Sequence, residues 1–239
     1  MATVLGLSDF WLNDTASGIA WRHALHGEEA IALHAPLPAA ATIIARTRIT
    51  DVIDKGPQKA AILLSTREIF EQSSGQKLAT LSSTIVLRGH GGFGGPSGPT
   101  ADRPSIPPRA PDAACALGTS PRSALIYRLS GDPNPLHVDP SAAREAGFPR
   151  PILHGLCTFG VATRAILKSC CENEPARLKG LRARFSAPAF PGDTLLTEIW
   201  QEDTQVRFRT RAIERDVTVL DGGAASIIEA GTATGQSSP

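Results

Sequence analysis

Residues 131–155 read GDPNPLHVDPSAAREAGFPRPILHG, and the start of this stretch brings a carboxylate, an amide and an imidazole within six residues: Asp132, Asn134 and His137. Proline fixes its own backbone angle and biases the residue before it toward extended conformations. Both Asp132 and Asn134 precede a proline, so their side chains are expected to turn to one side. The stretch therefore predicts a stiff loop that holds polar groups in place.

Asp132 and His137 are a candidate catalytic pair. A carboxylate and an imidazole that share one water molecule can take a proton from it and deliver another elsewhere, as hydration of an activated alkene requires. Asn134 could orient either partner. Taken alone, Gly-Asp-Pro and Asn-Pro are also common in turns without any catalytic role, so the interpretation depends on the conjunction of these residues with Gly155.

A long helix is predicted from Gly155 to Cys171, because apolar residues recur there at steps of three and four. The first N–H groups of a helix lack intrahelical partners and lie at the positive end of its dipole. The Gly155 N–H can therefore stabilise an enolate oxygen that develops on a thioester, and glycine permits close approach of the substrate. His154 is interpreted as a structural residue near the helix start and is left out of the catalytic set.

The flanking sequence predicts strands, since short runs rich in Ile, Leu, Val and Thr alternate with turn residues. The predicted strands are Glu29–His34, Ala41–Asp51, Lys59–Glu68, Lys77–Arg88, Ala124–Leu129, Leu178–Ala187, Leu195–Glu202, Val206–Glu214 and Thr218–Ala230. A short helix is expected from Pro140, with Asp139 as its cap and Gly147 as its stop. The fold class is thus α+β, with an antiparallel sheet wrapped around the long helix.

The predicted domains are 1–88, an incomplete N-terminal unit; 89–112, a linker dense in glycine and proline; and 113–239, the catalytic unit. The glycines of Gly89–Gly95 lack the Lys-Ser/Thr ending of a phosphate-binding P-loop and precede proline-rich sequence rather than a helix. They are interpreted as part of the linker.

Residues Tyr127–His137 together with Pro151–Gly155 resemble the signature of the MaoC-like hydratases, the (R)-specific enoyl-CoA hydratases of the hot-dog fold. The resemblance extends to Phe185–Pro188 and Pro191–Asp193. In the first half, His26-Gly27-Glu28, Pro36-Leu37-Pro38, Asp54-Lys55-Gly56 and Gly91–Gly95 are similar to the N-terminal domain of two-domain, double hot-dog members.

This resemblance implies a double hot-dog fold with a degenerate first unit, and syn addition of water to a trans-2-enoyl-CoA to give the (R)-3-hydroxyacyl-CoA. It implies that Asp132 and His137 are the catalytic pair, that Asn134 assists them and that Gly155 supplies the oxyanion contact. It also implies that an acyl-CoA is the substrate and that the reaction uses neither a metal nor a redox cofactor. Two-domain relatives begin earlier than Met1, so the first domain is expected to be shortened, which leaves chain-length preference open.

Three alternatives stay open. The chain could be a dehydratase for thioesters of acyl carrier protein or of steroid side chains, for which the same groups would serve. It could be a non-catalytic acyl-CoA-binding subunit of a hetero-oligomer. It could also be a hot-dog thioesterase, against which the hydratase-type loop argues.

Composition sets the remaining expectations. With 24 basic and 23 acidic residues and a net charge of +1, neither nucleic acid nor an anionic membrane is expected as a partner. No stretch approaches the roughly 18–20 apolar residues of a membrane helix. The ending TGQSSP does not match the Ser-Lys-Leu peroxisomal address, so a cytoplasmic location is expected. A homodimer and a hetero-oligomer are both left open.

Several other residues have open or structural interpretations. Cys115, Cys157, Cys170 and Cys171 lack metal-site spacing and are expected to be free thiols. Four histidines are expected on the surface or in the sheet: His23, His26, His34 and His90. Arg182 and Arg184 could meet CoA phosphates or merely solvate a sheet face.

Overall fold

The computed structural model describes residues 14–21, 24–98 and 104–228, in which two runs of strands form one nine-stranded antiparallel sheet. The strands are β1 Ala24–Leu33, β2 Ile43–Asp54, β3 Ala61–Glu71, β4 Lys77–Leu87, β5 Ala113–Gly118, β6 Leu178–Phe185, β7 Thr194–Glu202, β8 Gln205–Ala212 and β9 Val217–Ile227. The helices are α1 Ser123–Tyr127, α2 Pro140–Glu145 and α3 Gly155–Cys170.

The sheet consists of two units with related strand orders. Its order is β2-β3-β4-β1-β6-β9-β8-β7-β5, so β2-β3-β4-β1 of the first unit matches β7-β8-β9-β6 of the second. The units meet where residues 28–32 of β1 pair antiparallel with residues 180–184 of β6. Over residues 14–21 and 24–98 the first unit has these four strands and no counterpart of α3. The predicted α+β class is confirmed.

Helix α3 fills the space enclosed by the second unit. Phe159, Ala162 and Ile166 are buried at the spacing expected of one helix face. They pack with buried side chains of four strands, namely Leu181, Leu195, Ile199, Phe208, Val219 and Leu220. Burial of each large apolar side chain stabilises the fold by about 1.5–3 kcal/mol. None of the helices in the described part of the chain is long and apolar enough to cross a membrane.

The other predicted elements hold, with end points shifted by a few residues, except for one segment. The Asp139 carboxylate accepts the Ser141 N–H at 2.7 Å and caps α2, as expected. The strand predicted at Thr218–Ala230 corresponds to β9, and its last two residues lie outside the described part of the chain.

The strand predicted at Ala124–Leu129 is wrong, because this segment forms α1 and a following 3-10 turn. Ala124 is buried and Tyr127, three residues on, is half-buried, which is a helical spacing. The remaining apolar residues of the run are exposed, by 54% to 84%: Leu125, Ile126 and Leu129. The edge strand is instead β5, whose small residues AACALG carry a weak strand signal and pair with β7.

The glycine-rich segment after β4 is docked on the first unit by Asp54. The carboxylate accepts the N–H groups of Gly56 and Gly92, each at 2.7 Å, and of Gly94 at 2.8 Å. The hydrogen bond from Gly92 is the largest of several that lower the pKa of Asp54. Lys55 Nζ donates to the Gly98 carbonyl at 3.2 Å. The first part of the predicted linker is therefore anchored, while residues 99–103 lie outside the described part of the chain.

Replacing Gly223 of β9 with alanine tests the packing of the second unit. A Cβ at this position would lie 2.4 Å from the Phe208 carbonyl oxygen and 2.7 Å from its ring, so the neighbouring strand must shift. We expect Gly223→Ala to lower the free energy of unfolding by about 1–3 kcal/mol, measured by urea denaturation. Gly118→Ala is the matched control, because no atom lies within 4 Å of the added carbon. Equal stability of the two variants would contradict this packing.

Candidate active site

The loop that carries the predicted pair is held by its own side chains. Asn134 Oδ1 accepts the Leu136 N–H at 3.0 Å and caps the 3-10 turn Pro135–His137. The Asn134 N–H in turn donates to Asp132 Oδ1 at 3.2 Å. These two bonds are the Asx-type contacts expected of such residues. Asn134 therefore orients Asp132 through its backbone, while its side-chain oxygen shapes the turn.

His137 is buried, and its ring is fixed by one hydrogen bond. Nδ1 lies 2.9 Å from the carbonyl oxygen of Ile152. A carbonyl only accepts, so Nδ1 carries the hydrogen and a neutral ring leaves a lone pair on Nε2. Burial lowers the pKa of His137, and the Ile152 bond and Asp132 oppose this shift only in part. At neutral pH the ring is therefore a proton acceptor through Nε2.

The approach to α3 is fixed in the same way. The Leu153 N–H donates to the Ala189 carbonyl at 2.7 Å, and His154 then takes an extended conformation with φ −55° and ψ 136°. Gly155 is the first helical residue, where a backbone N–H has no intrahelical acceptor. A Cβ on Gly155 would lie 3.2 Å from the Phe185 ring. The ring therefore packs closely against the start of α3, where the glycine leaves room for it.

The structure brings Asp132, His137 and His154 together, with at least one polar side-chain atom of each within 4.8 Å of the others. One water can bond to two atoms that are no more than about 5.6 Å apart, twice the length of a hydrogen bond. Asp132 and His137 can therefore hold the same water molecule. Gly155 directly follows His154 in the chain, so its N–H starts at the edge of this cluster.

His154 is the residue that the sequence interpretation left out of the cluster. Its ring stacks on that of His137, with centroids 3.7 Å apart and planes at 26°. Its Nε2 lies 3.3 Å from the Asp132 carbonyl oxygen and 4.0 Å from the carboxylate. Burial, followed by the neighbouring His137, lowers the pKa of His154 to about 4. The sequence shows only that His154 directly precedes the helix. That position does not reveal its contact with the loop that carries Asp132 and His137.

Two further aromatic contacts surround this cluster. The Tyr127 ring lies 4.8 Å from that of His154, and burial raises the pKa of its hydroxyl. On the other side, His26 of β1 lies 4.7 Å from the Phe185 ring and bonds to Glu29 at 3.0 Å. The first unit thus reaches the region of Gly155 through His26, a sheet residue as predicted.

The other residues with open interpretations have the following surroundings. His34 bonds to Thr80 at 2.8 Å and His90 accepts the Ala20 N–H at 3.1 Å, while His23 lies outside the described residues. Arg182 and Arg184 alternate with the buried Leu181 and Ala183, so they lie on the opposite face of β6 from the core. Contact of these arginines with CoA stays a prediction. All four cysteines are free.

The polar atoms of Asp132, His137 and His154 are also close enough together to be considered as metal ligands. His137 Nδ1 is already bonded to the Ile152 carbonyl, so only Nε2 of that ring could coordinate an ion.

In comparison with known proteins, each unit matches a hydratase-related family. Residues 103–222 match the family described as MaoC like domain, and residues 11–89 match the MFE-2 hydratase 2 N-terminal domain. The chain is 45% identical over 207 residues to the Arabidopsis thaliana protein named "Enoyl-CoA hydratase 2, peroxisomal", covering 83% of this chain and 66% of that protein. It is 46% identical over 210 residues to the Mycobacterium tuberculosis "3-hydroxyacyl-thioester dehydratase Y", covering 85% and 72%.

Solved structures support the same family and fold. The MaoC-like dehydratase from Phytophthora capsici superposes with a TM-score of 0.80 at 38% identity, covering 87% of this chain and 72% of that one. A Mycobacterium tuberculosis protein with a double hot-dog fold superposes with a TM-score of 0.56 at 18% identity, covering 89% and 77%, and supports the fold alone. The predicted double hot-dog fold is confirmed. The chain therefore belongs to the MaoC-like family, in the branch of the enoyl-CoA hydratase 2 proteins.

Proposed function

We propose that the chain adds water reversibly to a trans-2-enoyl-CoA to give the (R)-3-hydroxyacyl-CoA, with Asp132 and His137 as catalytic residues. The observation that supports this most directly is the approach of these two groups within 4.8 Å, close enough to hold one water. The Gly155 N–H receives the thioester oxygen. Asn134 is a positioning residue, because it bonds to Asp132 and to the turn that carries His137.

The reaction needs one new C–O bond and two proton transfers. The water oxygen forms a bond to C3 as the C2–C3 double bond breaks, and the electron pair moves onto the thioester as an enolate. One water proton passes to the catalytic pair, and a proton from the pair is delivered to C2. The product differs from the substrate by one water molecule, and no electron is gained or lost. The proposed reaction thus needs neither a metal nor a redox cofactor, and full activity after dialysis against EDTA is its expected consequence.

The same experiments test whether the acyl group is carried by coenzyme A or by acyl carrier protein, and whether the chain is a monomer or a dimer. The purified chain is assayed with crotonyl-CoA by loss of enoyl absorbance, and with the matching thioester of acyl carrier protein. Faster turnover of the carrier-protein thioester would favour the dehydratase alternative, release of free CoA would indicate a thioesterase, and binding without turnover would indicate a non-catalytic subunit. Light scattering separates homodimer from monomer. A cytoplasmic location remains a prediction, since the Arabidopsis relative is named peroxisomal.

Asp132→Asn and His137→Gln each remove one member of the pair while keeping its size. Because a positioned general acid or base contributes about 10²–10⁴-fold, kcat for crotonyl-CoA should fall by that factor in each variant. Asp139→Asn and His34→Gln are matched controls, since these residues are an exposed helix cap and an exposed residue directly after β1. Undiminished turnover in either site variant would rule out the assignment.

Gly155→Pro removes the proposed oxyanion donor with little disturbance of the helix. Proline is well accepted at the first position of a helix, and the extended conformation of His154 is the one required before proline. Gly155→Ala keeps the N–H and serves as the control for added bulk against Phe185. We expect kcat to be about 10²–10³-fold lower in Gly155→Pro than in Gly155→Ala. Equal kcat values would show that this N–H does not bind the oxygen.

The pH dependence of hydration follows from the lowered pKa of His137, which faces Asp132 and His154. Its neutral form accepts the proton from water, so kcat/KM falls as the pH falls through its pKa. Since burial places that pKa below the ordinary value of 6.5, we expect the acid limb of kcat/KM to have its midpoint below pH 6.5. A midpoint above 6.5 in the acid limb would contradict this environment for His137.

A further inference from the structure

His154 contacts both members of the proposed catalytic pair without being one of them. Its ring covers that of His137 at 3.7 Å, and its Nε2 reaches the Asp132 carbonyl at 3.3 Å. The ring is 1% exposed, so these contacts are not shared with solvent. On its far side the ring meets Tyr127 at 4.8 Å. His154 is therefore held between Tyr127 and the pair.

The hydrogen bonds give the two stacked imidazoles opposite tautomers. His137 donates from Nδ1 to Ile152 and keeps its lone pair on Nε2. His154 donates from Nε2 to the Asp132 carbonyl, so its lone pair is on Nδ1, a buried atom without a hydrogen-bond partner among the described residues. In a buried site an unpaired lone pair costs less free energy than an unpaired N–H or a charge.

Both rings cannot be protonated at once. The charged and titratable groups that face His154 are His137, Asp132, Arg128 and the Tyr127 hydroxyl. Protonation of both would place two positive rings 3.7 Å apart in a buried site, where like charges repel strongly. The free lone pair of His137 is on Nε2, whereas that of His154 is on the buried Nδ1. Protonation of His154 would thus block proton uptake by His137 and contribute nothing to the reaction.

We propose that His154 is the positioning residue of the catalytic pair, a neutral ring that fixes the plane of His137 and ties the Asp132 backbone to the start of α3. Proton exchange is thereby confined to His137 Nε2 and the Asp132 carboxylate. This inference rests on the proposed function for its effect on turnover, while the tautomers and the stacking are independent of it.

The first test uses the unaltered, ligand-free protein. Long-range ¹H–¹⁵N spectra of the six histidines, assigned with single His→Phe variants, report the tautomer and titration of each ring. We expect an Nδ1–H tautomer for His137 and an Nε2–H tautomer for His154, with His154 neutral down to pH 5. The same tautomer in both rings, or protonation of His154 above pH 6, would overturn the proposal.

The second test separates the two contacts of His154. His154→Phe keeps the ring that stacks on His137 but loses the bond to Asp132, and His154→Gln keeps a donor but loses the ring. Misplacement of reacting groups by about 1 Å costs up to about 10²-fold in rate, so each variant should lower kcat at least ~10-fold, with KM within about threefold. The His137 titration should also move relative to the unaltered protein. His34→Phe, remote and exposed, is the matched control.

The outcomes distinguish failure of this inference from failure of the proposed function. No hydration of crotonyl-CoA by the unaltered protein would refute the function, yet the tautomers would still decide whether His154 positions the pair. Active His154 variants with unchanged kcat and an unchanged His137 titration would refute the positioning role alone. Circular dichroism identifies a variant that does not fold, and the spectra of the unaltered protein then decide the question.

Discussion

The hydrogen bond from His137 Nδ1 to the Ile152 carbonyl joins the proline-stiffened loop to the segment that leads into α3. Ile152 is itself held in place, because the next N–H, that of Leu153, bonds to Ala189. Two parts of the chain fifteen residues apart thus become one rigid unit. Since the carbonyl can only accept, this bond also selects the ring tautomer and leaves Nε2 as the reactive nitrogen of His137.

Burial then sets the electrostatics of the site. Desolvation disfavours the charged forms of His137 and His154, so both rings are neutral near pH 7 and can stack without repulsion. Asp132 differs from them, since 37% of its side chain is exposed. The site therefore combines a carboxylate that water can reach with a buried imidazole, whose charged form is disfavoured by desolvation.

The first unit supports the site although the loop and α3 both belong to the second. Its β1 pairs with β6, which continues the hydrogen-bond ladder across the chain and protects the inner edge of each unit. The same strand places His26 against Phe185, the ring that covers Gly155. At the far end of β2, Asp54 secures the glycine-rich segment through the backbone N–H groups of Gly92 and Gly94.

The sequence by itself determined the elements whose periodicity is strong. Apolar steps of three and four located α3 to within one residue, and alternation bounded by turns located eight of the strands, because burial on one face leaves a regular pattern. It also singled out Asp132, His137 and Gly155. It missed α1 and β5, whose character depends on which neighbours bury them: Leu125 and Ile126 of α1 face solvent, and β5 pairs with β7. Only the tertiary structure decided that His154 stacks on His137 and that His26 reaches Phe185 from the other unit. These contacts join distant parts of the chain, and local residue patterns carry no information on such distances.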